Sequence, residues 1–192
     1  MNKIILASGS PRRKEIFEIF ETPFEIKVAD IEEKIHVGET PEQIAMALAF
    51  EKAMAVVENC DQGDIIIAAD TIVVKNEVLG KPKNDKDALR MLKLLENDVH
   101  FVISGLAVVQ AHTFNKFVSF DKTKVKVKQL TNRAMKRYIY TGEVWGKAGA
   151  YGIQGKGSAM IEWIEGNYFN VVGLPISKLQ SILQDHFQIE LI

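Results

Sequence analysis

The sequence predicts a single α/β or α+β domain built around a central mixed β-sheet that is flanked by helices. Short apolar runs typical of buried strands are interleaved with segments of amphipathic helical periodicity, which is the pattern of these fold classes. Apolar residues make up 47% of the 192 residues, enough for a sizeable core. We find no internal repeat, low-complexity tract or linker, so we expect one domain over residues 1–192, which a cleft could divide into two lobes.

The chain begins with a predicted strand, turn and helix. Lys3–Ala7 is a short apolar run suited to a buried strand, and Ser10 followed by Pro11 is typical of a helix N-cap and first helical residue. Thr40-Pro41-Glu42-Gln43 has the form of a capping box that opens a second helix to about Glu58. The other predicted elements are strands at 24–28 and 64–69, a hairpin at 72–79 turning near Asn76, a helix at 86–95, strands at 99–110 and 117–130, and helices at 132–140 and from Pro175.

Composition excludes several classes of protein. A formal net charge of -1 lacks the basic excess of a dedicated nucleic-acid binder. The single cysteine, Cys60, allows no intramolecular disulfide. We expect it to be a residue without a chemical role near a helix end rather than a catalytic thiol. The apolar run after Lys3 is too short for a signal peptide core or a membrane span, so we expect a cytoplasmic protein without a membrane partner.

Ser8-Gly9-Ser10-Pro11-Arg12-Arg13 places hydroxyls, backbone amides and two guanidinium groups at one helix N-terminus. Such a terminus favours anions, and arginine adds bidentate phosphate contacts. Two arginines in a first helical turn oppose the helix dipole, which indicates an anion site. A plain Ser-Pro cap with solvated arginines explains these residues equally well.

Three further features carry groups suited to phosphate chemistry. Asp70 follows the apolar run Ile65–Ala69, a common place for a metal ligand or a base, although a turn-capping aspartate is the commoner case. Lys81 lies on the short connector Gly80-Lys81-Pro82 and could reach a phosphate or belong to a simple loop. Glu33 and Lys52, taken alone, are more typical of surface charges.

Six of the 13 glycines fall within residues 142–157, a density that permits close backbone approach but is equally compatible with a compact flexible loop. The segment matches neither a phosphate loop nor a dinucleotide-binding loop. The alternating row Lys124, Lys126 and Lys128 predicts a solvated strand face rather than a phosphate or nucleic-acid track. The four histidines lack zinc-ligand spacing, so carboxylates, lysines and arginines remain for a site with Mg²⁺ or Mn²⁺.

In chain order, these motifs resemble the Maf family. The resemblance rests on Ser-x-Ser-Pro-Arg-Arg at 8–13, Glu33, Ala-x-x-Lys at 49–52, Ala-Asp-Thr at 69–71, Gly-Lys-Pro at 80–82, Lys-Ala-Gly-Ala-Tyr-Gly-Ile-Gln-Gly at 147–155 and Asn-Val-Val-Gly-Leu-Pro at 170–175. It implies a fold like that of the inosine-triphosphate pyrophosphatases, with an elongated mixed sheet and two lobes around a deep cleft. It also implies hydrolysis of a nucleoside triphosphate between the α and β phosphates, by a cytoplasmic enzyme.

The resemblance extends to individual residues. It implies that Asp70 is the general base and binds a divalent metal together with Glu33. Phosphate binding would fall to five residues, Ser8, Ser10, Arg13, Lys52 and Lys81. Arg12, Thr71 and Gln154 are similar to the positions that mark a dTTP/UTP pyrophosphatase subgroup. Gly146 departs from the aspartate that members often carry before the Lys-Ala-Gly run.

Two other functions remain open at this stage. One is a pyrophosphatase for modified purine nucleotides, and the other is a non-enzymatic nucleotide-binding regulator of septum formation, the process to which family members were first linked. Carboxylates at 33 and 70 weigh against the regulator, because carboxylates repel phosphate unless a metal intervenes. We expect a nucleoside triphosphate substrate, no nucleic-acid partner, and a chain that could form a homodimer.

Overall fold

The computed structural model describes residues 2–28, 30–31 and 38–192. Within these residues seven strands form one mixed sheet in the order β2-β1-β3-β5-β6-β7, with β4 paired to β3. The strands are β1 Ile4–Leu6, β2 Glu25–Ile26, β3 Ile65–Lys75, β4 Glu77–Leu79, β5 Val99–Gln110, β6 Lys116–Val127 and β7 Ile161–Glu165. The helices are α1 Pro11–Glu18, α2 Pro41–Met54, α3 Asp85–Leu95, α4 Asn132–Tyr140, α5 Tyr168–Val172 and α6 Ile176–Phe187. The predicted mixed sheet with flanking helices is confirmed.

The chain divides into two compact units. The first unit comprises Met1–Asp70, Ser104–Asp121 and Gly173–Ile192, and the second comprises Thr71–Ile103 and Lys122–Val172. Strands β3, β5 and β6 contribute residues to both units. The expectation of a single domain over residues 1–192 stays a prediction.

The first unit has its core between α2 and the strands β1, β3 and β5. Strand β1 pairs in parallel with β2 and with β3, as expected for strands joined through helices. Helix α2 packs so closely that a Cβ atom added at Gly105 of β5 would overlap the carbonyl group of Ala45. The buried cluster holds small and branched residues, among them Ile5, Ala49, Ala53, Ile66, Ala68, Ala107 and Val109.

The second unit has its own apolar cluster, formed by α3, α4, parts of β3, β5 and β6, and the glycine-rich segment. Buried members include Val73, Leu92, Leu95, Val102, Val125, Met135, Tyr138, Ala150 and Tyr151. Ala88, Leu92 and Leu95 are buried on one side of α3, as their spacing predicts. The glycine-rich segment therefore belongs to a packed core.

Several local predictions are confirmed. Helix α4 and strand β5 have the predicted bounds, and the hairpin turns at Asn76, which adopts a left-handed φ of 51°. The capping box of α2 is formed, because Gln43 N donates to Thr40 Oγ1 and Thr40 N donates to Gln43 Oε1. Ser10 occupies the N-cap position of α1 but makes no side-chain capping bond.

The two largest differences from the predicted boundaries are at the ends of α2 and β3. Helix α2 ends at Met54 rather than near Glu58, and Val57–Asn59 forms a separate 3₁₀ turn, which is consistent with the poor helix propensity of the β-branched Val56 and Val57. Strand β3 does not stop at Ala69 but continues to Lys75, because residues 73–75 pair with β4. Asp70 and Thr71 therefore lie inside a strand, which corrects the predicted position of Asp70 at a strand end.

Candidate active site

The predicted site residues fall into two groups, one in each unit. The first unit contains Ser8, Ser10, Arg12, Arg13, Lys52 and Asp70, and the second contains Thr71, Lys81 and Gln154. Glu33 lies in residues 32–37, outside the described residues. Six of the ten predicted residues thus share one unit, although the sequence distributes them over 63 positions from Ser8 to Asp70.

The Ser8–Arg13 segment forms a cluster of hydrogen-bond donors. Ser8 is buried, and its Oγ accepts bonds from Ser10 N at 3.2 Å and from Arg13 Nη1 at 3.2 Å. Both bonds use the lone pairs of Ser8 Oγ, which leaves its proton as a donor for an anion in the contacts that the described residues make. Arg13 Nε also donates to the carbonyl oxygen of Gly173 at 2.7 Å. The guanidinium group of Arg13 is thereby oriented before any ligand arrives.

The carboxylate of Asp70 forms a partly buried ion pair with Lys52. Asp70 follows Ile66 and Ala68 in the alternating row of β3 side chains that faces α2, and Lys52 Nζ on α2 contacts its Oδ1. The side chains are 10% and 19% exposed respectively, so little water screens the pair. Lys52, expected alone to be a surface charge, instead compensates the charge of the candidate base.

In the second unit, the Lys81 connector is hydrogen-bonded to the glycine-rich segment. Gly149 N donates to the carbonyl oxygen of Gly80 at 3.1 Å. Gly149 has a left-handed φ of 67°, and a Cβ added there would come within 3.0 Å of both methyl groups of Val73. Because side chains alternate along a strand, Thr71 projects from the same face of β3 as Val73. Thr71 therefore shares the side of β3 against which this segment packs.

The residues around Gln154 are ordered by side chains from outside the segment. Tyr138 Oη on α4 accepts a bond from Gly152 N at 3.2 Å, and His100 Nε2 lies 2.6 Å from Tyr151 Oη. Both Tyr151 and His100 are buried. The segment includes the 3₁₀ turns Ala148–Ala150 and Gly155–Met160 and packs into a core. These features favour a packed segment over the alternative of a flexible loop.

His100 is a buried histidine held in its neutral form. Burial lowers its pKa to about 4, and the positive charge of Lys75 acts in the same direction, while Asp98 opposes it. The same desolvation raises the pKa of Tyr151. Only Nε2 of the histidine has a hydrogen-bond partner among the described residues, and Nδ1 is a buried atom without one. This pair joins β5 to the segment that carries Gln154.

Sequence reasoning missed several residues that organise these groups. Gly173, Tyr138, Glu143 and His100 contact the predicted residues or their neighbours through atoms distant in sequence. Asn170 of the Asn-Val-Val-Gly-Leu-Pro motif is fully buried, and its Nδ2 donates to Val102 O and Thr123 Oγ1. In the sequence, a polar residue that opens an otherwise apolar motif is a signal that could have indicated this buried network.

The lysines of the row at 124–128 have partners within the protein, and Cys60 is buried. Lys124 pairs with Glu165 at 2.8 Å, Lys126 Nζ donates to Asn97 O at 2.7 Å, and Lys128 Nζ donates to Ala159 O at 3.3 Å. These contacts favour the structural interpretation of the row over a phosphate track. Cys60 is buried, which raises the pKa of its thiol and disfavours the reactive thiolate.

The described residues contain no group of three or more His, Cys, Asp and Glu side chains arranged to hold a metal ion. A Cβ added at Gly146 would meet nothing within 4 Å, and its φ of 69° is one that aspartate tolerates better than most residues. An aspartate at position 146 would thus have room. None of the described helices combines the length and apolarity needed to cross a membrane.

The described residues thus include an arginine oriented by Ser8 and Gly173 and a carboxylate compensated by a lysine. Comparison with known proteins shows which family this is: residues 3–186 match the Maf-like proteins, and the chain belongs to the Maf family. It is similar to the "dTTP/UTP pyrophosphatase" of Alkaliphilus oremlandii (strain OhILAs), at 48% identity over 100% of both chains. The protein of that name from Alkaliphilus metalliredigens (strain QYMF) is 46% identical, also over 100% of both.

Among solved structures, the Staphylococcus aureus Ham1 protein is similar to 66% of this chain and 72% of its own, with 14% identity and a TM-score of 0.42.

Proposed function

We propose that this chain hydrolyses dTTP and UTP to the nucleoside monophosphate and pyrophosphate, with Asp70 as the general base and a divalent metal as cofactor. The observation that carries the proposal is full-length similarity, at 46–48% identity, to relatives named dTTP/UTP pyrophosphatase. With membership of the Maf family, this makes the chain a nucleoside triphosphate pyrophosphatase, an enzyme of the hydrolase class.

Asp70 is suited to act on the attacking water. Asp70 is buried, with 7% of the residue surface exposed. In the contacts that the structure describes, its carboxylate accepts a bond from the Lys52 ammonium group rather than from backbone amides. A polyphosphate that attracts the Lys52 ammonium group would free the carboxylate to accept a proton from water. Lys52 would then neutralise phosphate charge, the role proposed for it from the sequence.

The phosphate groups would be bound by the donors of the Ser8–Arg13 segment and by Lys81. Arg13 is oriented by Gly173 O and Ser8 Oγ, so little conformational entropy remains to be lost when it binds an anion. Ser10, the N-cap residue of α1, is the further proposed donor of this segment through its hydroxyl proton. Preorganised donors of this kind stabilise the charge that develops as pyrophosphate leaves.

The donor set fits a magnesium or manganese ion. Mg²⁺ typically takes one or two carboxylates and completes its shell with water and substrate phosphates. Asp70 supplies one buried carboxylate, and Glu33 is the proposed second. When bound, the ion would supply charge neutralisation at the phosphates.

Arg12, Thr71 and Gln154 are the proposed nucleobase-reading residues. A glutamine amide both donates and accepts, which matches the O4 and N3–H groups of uracil and thymine. A polar site of this kind rejects a base with the wrong donor pattern, because its own groups would remain unpaired. The Gln154→Glu variant removes the donor and should impair dTTP turnover more than it impairs folding.

The proposal is tested by measuring pyrophosphate release from dTTP, UTP, CTP and 7-methyl-GTP with Mg²⁺ or Mn²⁺. We expect turnover of dTTP and UTP, lost without metal and reduced by about 10²–10⁴-fold in Asp70→Asn, the range for a general base. The matched control is Asp185→Asn, an exposed aspartate on α6. If pyrophosphate is released from none of the nucleotides, the proposed enzymatic activity is refuted. A preference for the purine nucleotide would support the alternative substrate class.

A further inference from the structure

The carboxylate of Glu143 makes contacts that no role proposed above uses. Glu143 lies in the turn after α4, and its Oε1 accepts a bond from Lys156 N at 3.2 Å. Its Oε2 accepts a second bond from Gly157 N at 3.3 Å. These amides belong to the 3₁₀ turn Gly155–Met160, for which Gln154 is the N-cap residue. One side chain thus holds two consecutive amides directly after Gln154.

Glu143 is itself restrained on its own turn. Its backbone N donates to Thr141 Oγ1 at 3.3 Å, and its backbone O accepts from Lys147 Nζ. The half-buried side chain therefore extends from a fixed point toward the segment. Hydrogen bonds to an ionised acceptor are stronger than those between neutral groups.

Gly155 is what allows the carboxylate to approach. Its φ is 69°, and a Cβ added there would lie 3.0 Å from Glu143 Oε2. Any other residue would meet both an unfavourable backbone conformation and a crowded carboxylate. A glycine at 155 and a glutamate at 143 thus form a matched pair of residues.

Gln154 is bracketed by two anchors. On its N-terminal side, Gly152 N donates to Tyr138 Oη, and on its C-terminal side Lys156 N and Gly157 N donate to Glu143. Of these anchors, only Glu143 holds the C-terminal side, and it carries a charge. Removal of the carboxylate would release the backbone directly after Gln154 while the Tyr138 bond remains.

We propose that Glu143 is a positioning residue for nucleobase selection, which orients Gln154 by holding the amides of residues 156 and 157. This inference rests on the proposed function, because it assigns the base-reading role to Gln154. Glu143 acts on the substrate only through Gln154. It therefore governs the discrimination between bases more than the rate of phosphate chemistry.

The test compares the wild type with Glu143→Ala, Glu143→Gln and the control Glu162→Ala, an exposed glutamate on β7. We measure kcat and KM for UTP and CTP. The UTP/CTP ratio of kcat/KM should fall at least about 10-fold in Glu143→Ala, since a misplaced amide loses base contacts worth a comparable factor. The rise in KM for UTP should exceed the fall in kcat. Glu143→Gln retains one acceptor oxygen and should be intermediate.

Amide hydrogen exchange of the free protein provides a readout that is independent of hydrolysis. Peptides covering residues 154–157 should exchange at least about 10-fold faster in Glu143→Ala, because the loss of about 1.4 kcal/mol of protection already corresponds to that factor. Peptides of α3 should be unchanged. A uniform loss of activity with an unchanged UTP/CTP ratio, or unchanged exchange, would overturn the inference. Absence of turnover in the wild type would instead refute the proposed function, and the exchange would still decide whether Glu143 holds this segment.

Discussion

Lowering the pH from 7 to 5 should destabilise the folded chain by about 2 kcal/mol through His100 alone. The pKa of His100 is about 4 in the folded state, against 6.5 for an unperturbed histidine. Between these values the unfolded chain binds the proton and the folded chain does not, so stability falls as the pH falls through the window. Each unit of pKa difference corresponds to about 1.4 kcal/mol, which limits the whole loss to about 3.4 kcal/mol below pH 4.

The lowered pKa of His100 places its effect on stability in a pH interval in which the two perturbed aspartates do not titrate. The pKa values of Asp87 and Asp98 are also lowered, by hydrogen bonds from the Lys83 backbone and from Lys75 respectively, to below their usual 3.8. Stability that depends on these carboxylates is therefore present at pH 5 and is lost only at lower pH. The interval from pH 6.5 to 4 thus isolates the histidine from these two groups.

The assay is urea unfolding at several pH values in the wild type and in the double variant His100→Phe, Tyr151→Phe. The double variant keeps two rings of similar shape and removes both hydrogen-bonding partners together, so neither is left unpaired. The difference in unfolding free energy between the two proteins should change by about 2 kcal/mol from pH 7 to pH 5. A His112→Asn control keeps His100 and should retain the His100 contribution. An identical pH slope in the wild type and the double variant would refute the reasoning.

Three further predictions concern packing and capping. Gly105→Ala should abolish cooperative unfolding or cost at least about 3 kcal/mol, because the new Cβ would overlap the Ala45 carbonyl; a thermal transition within 3 °C of the wild type would contradict this close approach. Asn170→Ala should cost about 2–3 kcal/mol in urea unfolding, since Val102 O and Thr123 lose a buried donor. Thr131→Ala should cost about 1 kcal/mol, because Ala134 N loses its capping acceptor, and an unchanged urea midpoint would exclude this role for Thr131.

Local structure could be predicted from the sequence where it depends on neighbours in the chain. The capping box at Thr40, the turn at Asn76 and the bounds of α4 follow from side chains that bond or crowd their own backbone within a few residues. The continuation of β3 through Asp70 could not be predicted in this way. It depends on pairing with β4, which the residues around Asp70 do not reveal.

The candidate site shows the same division. Motif order led the sequence analysis to propose Ser8, Arg13, Lys52 and Asp70 as site residues, and that assignment stays a prediction. The sequence did not indicate that Lys52 compensates Asp70, since a contact between a helix and a strand depends on how they pack.

By itself, then, the sequence determined the class of fold, the capping box of α2 and the kinds of side chain from which a phosphate site was proposed, because each depends on residue type and short-range spacing. Only the tertiary structure decided the partners of those groups: Gly173 for Arg13, Tyr138 for Gly152, and Glu143 for the amides after Gln154. These bonds span from 13 to 160 positions in the chain. Their geometry is set by the packing of whole elements, which no local pattern encodes.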